Sequence, residues 1–120
     1  MTDTGPTRAD RDLVWVRGRG MCELDGCLFG LQVHHRLPRQ MGGSRHNPNI
    51  NLPSNLALLG DRCHRLVERY RTHAYATGWL IERTTPPTDP AAVPVLHAWH
   101  GRVYLRPDGS VQPVNGRATA

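Results

Sequence analysis

The chain has 120 residues, 38% of them hydrophobic, with a single Phe, 12 Gly and 10 Pro. A chain of this length forms one domain at most, and its modest apolar content builds only a thin core. Small domains of this kind often gain stability from a bound metal or a partner. The net charge is +5, and every basic residue is Arg, which favours a polyanionic partner such as DNA or RNA. A basic, soluble protein with no such partner is the simpler alternative.

Three cysteines are an odd number, which argues against a closed disulfide framework. Without a Cys-x-x-Cys, the chain also lacks the pattern of a thiol-redox protein. Residues 2–12 have no apolar core of the kind that a signal peptide needs, and no stretch approaches the roughly 18 to 20 apolar residues of a membrane span. We therefore expect an intracellular, soluble protein.

The first third of the chain is predicted to be largely irregular. Residues 1–9 lack an apolar period and are expected to be disordered. Residues 10–17 form a short helix or strand that ends at Gly18, and a tight turn carries Cys22 and Cys27. Residues 29–31 and 32–35 are then expected to pair as a short hairpin around Gly30.

A long loop and two helical segments are predicted next. Residues 36–54, with three Pro and three Asn, indicate a functional or disordered loop. After the apolar run 56–59, Asp61 is the expected N-cap of a helix that runs to about residue 71, with apolar residues at spacings of three and four. A further helical turn, 72–77, is expected to end at Gly78.

The last third has the composition of a linker and a small sheet. Residues 83–94 are rich in Pro and Thr and are interpreted as a linker. Residues 95–114 are predicted to form a C-terminal β-hairpin with its turn at 107–110, followed by a disordered tail at 115–120. The fold class expected is therefore α+β.

The residues that indicate chemistry lie between Cys22 and Glu68. His34 and His35 are adjacent on a predicted strand, so their side chains point to opposite faces and can divide two tasks. Glu68 lies one helical turn after His64, and this pair can hold one divalent cation. The alternatives are that His64 lies in solvent and that Glu68 is a surface carboxylate paired with a neighbouring Arg.

The arrangement of these residues resembles a known family. The segment HHRLPRQMGG at 34–43, the segment NLALL at 55–59 and the pair Cys63-His64 are similar to the motif of HNH endonucleases, more narrowly to small HNH proteins of actinobacterial phages. The segments GWL at 78–80, DP at 89–90 and VPVL at 93–96 fit that group as well. The resemblance implies a ββα-metal (His-Me finger) core within a nuclease domain at 10–82.

The resemblance also implies a role for each motif residue. His34 and His64 bind the metal, His35 is the general base, and Asn55 pins the loop and helps to orient the base. Glu68 stands where some members place a further metal ligand. The implied reaction is hydrolysis of double-stranded DNA with Mg, Mn or Ni, which gives a 5′-phosphate and a 3′-hydroxyl. In phages such proteins lie beside the terminase, so a role in genome processing or packaging is expected by analogy.

Many HNH proteins carry a structural zinc held by two cysteine pairs, and the chain matches that pattern only in part. Cys22, Cys27 and Cys63 supply three thiolates, whereas Gly60 stands where the fourth is expected. Because structural zinc is nearly always four-coordinate, a fourth ligand is needed. Asp61, water and His46 are the alternatives, and three simply packed thiols without zinc are another.

A set of arginines surrounds the proposed site in sequence and is expected to contact DNA phosphates rather than bases. Its members are Arg36, Arg39, Arg45 and Arg62. A solvated, charged loop is the alternative. The competing function from another class is a non-catalytic, zinc-ribbon-like DNA-binding module, which would need the cysteines and arginines but not the paired histidines or Asn55.

Overall fold

A computed structural model describes residues 5–38 and 47–115. Helix α1, Arg8–Arg17, begins after Thr7, whose hydroxyl accepts a hydrogen bond from the Asp10 N–H. Its start is two residues before the predicted one, so Arg8 and Ala9 are helical although 1–9 was expected to be disordered. The buried Val14 packs against Leu56 and Leu58, and this contact anchors the helix to the rest of the domain.

The first sheet pairs strands β1, Gln32–His35, and β2, Leu56–Leu59, in antiparallel register. The predicted hairpin between 29–31 and 32–35 is therefore wrong. All four β2 residues are buried, so β2 gives β1 a more apolar partner than 29–31 offers. Phe29 is instead 88% exposed, and its carbonyl accepts a hydrogen bond from the Asp61 N–H.

Two short helices follow β2. Helix α2 spans Asp61–Arg69 and helix α3 spans Arg71–Thr77, separated by Tyr70 with φ −109° and ψ 63°. Asp61 was predicted to be the N-cap of α2 but is its first helical residue. The N-cap is Gly60. Gly78 ends α3 as predicted, with a left-handed φ of 85°. A Cβ at this position would overlap the Pro94 carbonyl oxygen, so only glycine fits.

The C-terminal region forms three strands rather than the predicted two. Strands β3, Val95–His97, β4, Gly101–Leu105, and β5, Val111–Pro113, are antiparallel in the order β3-β4-β5. The turn between β4 and β5 lies where it was predicted, with the Arg106 N–H bonded to the Ser110 carbonyl. The expected linker 83–94 contains a 3₁₀ turn, Pro90–Ala92, with Pro90 buried.

The main core joins both sheets and α2. Its largest cluster includes the buried side chains of Leu59, Cys63, Val67, Trp79, Leu80, Val95, Val103 and Leu105. The C-terminal strands are therefore part of the core. Within the described residues the fold is a small α+β one, with three helices and two antiparallel sheets, as expected. None of the helices in these ranges has the length and apolar character needed to cross a bilayer.

Candidate functional site

His34 of β1 comes together with His64 and Glu68 of α2. The rings of His34 and His64 have their centroids 5.2 Å apart and are inclined at 72°. One ligand atom from each of the three side chains lies within 4.8 Å of the others. His34 is buried, while Glu68 lies at the surface one helical turn after His64. Two imidazoles and a carboxylate form a donor set that suits a divalent transition-metal ion.

The hydrogen bond of His34 determines which of its nitrogens can bind a metal. Nε2 lies 3.0 Å from the Trp79 carbonyl oxygen, which can only accept, so Nε2 carries the proton and Nδ1 carries the lone pair. Burial lowers the pKa of His34 to about 4, although the bond to Trp79 acts in the opposite direction. The ring is thus neutral at physiological pH, the form that a metal requires.

Glu68 is also paired with Arg71. The Arg71 Nη1 atom lies 2.6 Å from Glu68 Oε2, and both side chains are about half exposed, at 46% and 47%. The sequence offered a surface ion pair with a neighbouring Arg as the alternative role of Glu68, and this ion pair is present. The carboxylate still lies within reach of both histidines. Since a carboxylate has two oxygens and several acceptor sites, the ion pair is compatible with metal binding.

His35, the next residue, is half-buried and is held by Asn51. Its Nε2 atom lies 2.9 Å from Asn51 Oδ1, which favours the tautomer with the lone pair on Nδ1. The partner expected from the sequence was Asn55, whose side-chain amide bonds instead to Leu37 and Ile50. Asn51 belongs to the Asn-rich segment before the 3₁₀ turn Pro53–Asn55, and nothing in its spacing from His35 distinguished it from Asn47 or Asn49.

Asn55 fixes the ends of the loop instead. Its side chain is fully buried, and its Oδ1 atom accepts a 2.7 Å hydrogen bond from the Leu37 N–H. Its Nδ2 atom donates to the carbonyls of Leu37 and Ile50, at 3.0 and 2.8 Å. Because Leu37 follows β1 and Ile50 precedes the 3₁₀ turn, one amide ties both sides of the loop to β2. The expectation that Asn55 pins the loop agrees with these contacts.

Arg36 is a buried structural residue, and its predicted role as a phosphate contact is wrong. It has no exposed surface, and its guanidinium donates to the carbonyls of Gly78 and Ser54 at 2.8 and 2.7 Å and to those of Pro90 and Val93. Burial lowers its pKa to about 9, so it remains charged at neutral pH. The carbonyls that accept from Arg36 lie 18 to 57 residues away along the chain. The residues next to Arg36 in sequence therefore could not indicate that it is buried.

The other predicted phosphate contacts have different outcomes. Arg62 is exposed at the start of α2 and is available to an anionic ligand. Arg39 and Arg45 lie outside the described residues, as does His46, one of the alternatives for the fourth zinc ligand. Asp61, another alternative, is 55% exposed and forms an ion pair of 3.1 Å with Arg65.

The three cysteines converge as predicted, together with Asp25. The Sγ atoms of Cys22, Cys27 and Cys63 and a carboxylate oxygen of Asp25 all lie within 4.8 Å of one another, and none of the thiols forms a disulfide. Desolvation and the nearby Asp25 carboxylate raise the pKa of the Cys27 and Cys63 thiols. Without a cation these thiols are therefore protonated at neutral pH, and a metal would displace their protons.

A buried ionic network next to this cluster was not predicted. Glu23 is fully buried and forms a 2.7 Å ion pair with Arg17 of α1. Its carboxylate also accepts from the Leu58 N–H at 2.9 Å and lies 3.1 Å from Nε2 of His97. Burial alone would raise the pKa of Glu23, but the bonds to His97 and Arg17 lower it to about 2. Glu23 thereby joins α1, β2 and β3 around the turn that carries Cys22.

Comparison with protein-family models, with curated proteins and with solved structures finds no match for the chain. Its functional interpretation therefore depends on the geometry of the two clusters and on the motif described above.

Proposed function

We propose that the chain is a metal-dependent endonuclease of the HNH kind, which hydrolyses phosphodiester bonds of double-stranded DNA. In this proposal β1, β2 and α2 are the ββα-metal unit. The observation that carries it is the convergence of His34, His64 and Glu68 within 4.8 Å, with a second histidine next in sequence, His35, held by Asn51. A binding module has no need for both features.

The three converging side chains would hold one divalent cation, Mg, Mn or Ni. Such a cation offsets the charge that builds up on the phosphate and on the leaving oxygen, an effect of several kcal/mol. His34 would bind through Nδ1, since its Nε2 is occupied by the Trp79 carbonyl. This carbonyl keeps the ring in one tautomer and orientation, as the outer partners of metal-binding histidines commonly do.

His35 would be the general base. With Nε2 bonded to Asn51, Nδ1 would be the nitrogen that accepts a proton from the attacking water. An imidazole titrates near physiological pH and is therefore suited to this task, and a base of this kind contributes roughly 10²- to 10⁴-fold to the rate. The role of Asn55 would be indirect, through the loop whose ends it holds.

A structural zinc would occupy the second cluster, with Cys22, Cys27 and Cys63 as ligands. The fit is chemical, because three cysteine sulfurs that lie together provide a soft donor set of the kind that zinc binds. Zinc at this position would link the turn at 22–27 to the first turn of α2, which carries His64. The net charge of +5 and the exposed Arg62 favour DNA as the polyanionic partner.

The decisive experiment measures nicking of supercoiled plasmid with Mg²⁺, Mn²⁺ or Ni²⁺ and with an EDTA control. We expect His35→Ala to abolish cleavage while leaving cation affinity nearly unchanged, and His64→Ala to weaken both. His73→Ala, at an exposed position on α3, is the matched control and should cut normally. DNA binding without cleavage by the wild-type chain would favour the non-catalytic, zinc-ribbon-like module instead.

A further inference from the structure

The turn between Cys22 and Cys27 presents a carboxylate to the thiol cluster. The turn is closed by the Gly26 N–H bonded to the Cys22 carbonyl at 2.7 Å and by the Cys22 N–H bonded to the Cys27 carbonyl at 2.8 Å. Asp25 Oδ1 accepts from the Cys27 N–H at 3.0 Å. This bond turns the Asp25 side chain toward the sulfur atoms and fixes its position relative to them.

The cluster has the size of a tetrahedral zinc site. With Zn–S distances of about 2.3 Å, ligand atoms at the corners of a tetrahedron lie about 3.8 Å apart. The three Sγ atoms and the Asp25 oxygen already lie within 4.8 Å of one another, so shifts of about 1 Å or less would bring them to that separation. Cys22 and Cys63 are buried and Asp25 is exposed, which places the carboxylate on the solvent side of the cluster.

Position 60, where a fourth cysteine would be expected, leaves no room for one. A Cβ added to Gly60 would overlap Cys27 Sγ and would lie 3.0 Å from the Phe29 carbonyl oxygen. The backbone of Gly60 thus packs directly against the thiol cluster. Asp61, next to Gly60 in sequence, is engaged with Arg65, and Glu23, next to Cys22, is engaged with Arg17. Asp25 is therefore the described side chain that completes a set of four.

We propose that Asp25 is the fourth ligand and that the second cluster is a Cys₃Asp zinc site. Carboxylate oxygen is an accepted zinc ligand, at about 2.0 to 2.2 Å, and it carries the same charge as the thiolate that it replaces. The proposal rests on the structural zinc proposed above but not on nuclease activity. It concerns a metal whose presence and ligands can be measured on protein that cuts no DNA.

The test uses the full chain loaded with zinc, X-ray absorption at the zinc edge and zinc affinity from competition with a chromophoric chelator. For the wild-type chain we expect one zinc with three sulfur ligands and one oxygen ligand. Asp25→Cys should change the shell to four sulfurs, because the new thiolate takes the place of the carboxylate. A shell of Asp25→Cys that keeps three sulfurs and one light atom would overturn the proposal.

Two further variants separate a ligand from a residue that only shapes the turn. Asp25→Asn keeps the acceptor for the Cys27 N–H but removes the charge, so we expect its zinc affinity to fall by at least roughly tenfold. Asp61→Asn is the matched control and should bind zinc as the wild type does. Wild-type affinity in Asp25→Asn would reduce Asp25 to a turn residue and refute its role as a ligand.

The outcomes also distinguish this proposal from the nuclease proposal. A wild-type chain that binds no zinc overturns the Cys₃Asp site, whatever the result of the plasmid assay. A chain that binds one zinc through three sulfurs and Asp25, but fails to nick DNA with any cation, leaves the zinc site intact and removes the nuclease.

Discussion

Replacing Arg36 by Met should destabilise the fold strongly, although the sequence indicates a surface residue at this position. The guanidinium donates to four backbone carbonyls from three parts of the chain: Ser54 beside β2, Gly78 at the end of α3, and Pro90 and Val93 in the segment before β3. Methionine has a similar volume and can fill the space, but it donates no hydrogen bond. The substitution therefore isolates the loss of the donors.

The magnitude follows from the acceptors that lose their donor. The Pro90 carbonyl keeps a bond from the Val93 N–H, so three carbonyls are chiefly affected, at about 1 to 3 kcal/mol each. Removal of a desolvated charge and entry of water offset part of this cost. We expect the free energy of unfolding to fall by about 3 to 5 kcal/mol, a large part of the total of about 5 to 15 kcal/mol typical of a domain.

Urea denaturation followed by circular dichroism measures this change. Arg62→Met, at an exposed position, is the matched control and should alter the free energy of unfolding by no more than about 0.5 kcal/mol. Arg36→Lys should rescue only part of the loss, because an ammonium group cannot reproduce the planar fork of the guanidinium. If Arg36→Met were as stable as wild type but bound DNA more weakly, the structural role of Arg36 would be refuted. The result would favour a contact between Arg36 and DNA phosphate instead.

Three other substitutions test the remaining contacts. Asn51→Ala should slow plasmid nicking by roughly 10- to 100-fold with cation affinity unchanged, because His35 loses its orienting partner; an unchanged nicking rate would exclude that role. Asn55→Asp keeps the acceptor for the Leu37 N–H but loses both donated bonds and buries a charge, so urea denaturation should show a loss of about 3 kcal/mol or more, and wild-type stability would contradict it. The pKa of Glu23 is lowered from 4.5 to about 2 on folding, so its stabilising contribution is present above pH 4.5 and disappears as the pH falls toward 2. The stability difference between wild type and Glu23→Gln, about 3 kcal/mol at neutral pH, should thus narrow in acid, and a difference independent of pH would be inconsistent with the network.

Local patterns predicted the parts of this protein that depend on local physics. The spacing of apolar residues after Asp61 predicted α2, and Gly78 was correctly predicted to end α3 because left-handed backbone favours glycine. The alternation of side chains along a strand predicted that His34 and His35 would face different partners. The metal-ligand spacing of His64 and Glu68 likewise depends only on the pitch of a helix.

Errors arose where a residue finds its partner far along the chain. Gly30 indicated a local hairpin, yet β1 pairs with β2, where Gln32 lies opposite Leu59. The residues that follow Arg36 in sequence have the composition of a solvated loop. The carbonyls that accept its hydrogen bonds come together only when the strands, the helices and the segment before β3 have packed. A ligand role for Asp25 could not be predicted from the sequence, because Asp-Gly is an ordinary turn pair. Only the position of Cys63 beside it in the folded chain indicates metal binding.

The most direct test of the active site is diffraction from a crystal of the wild-type chain soaked in Mn²⁺ and measured for anomalous scattering. The proposed function requires an anomalous peak bounded by Nδ1 of His34, a ring nitrogen of His64 and a carboxylate oxygen of Glu68, at about 2.0 to 2.3 Å from each. Peaks confined to other surfaces, with the rings of His34 and His64 turned away from any ion, would contradict a metal-dependent nuclease at this site.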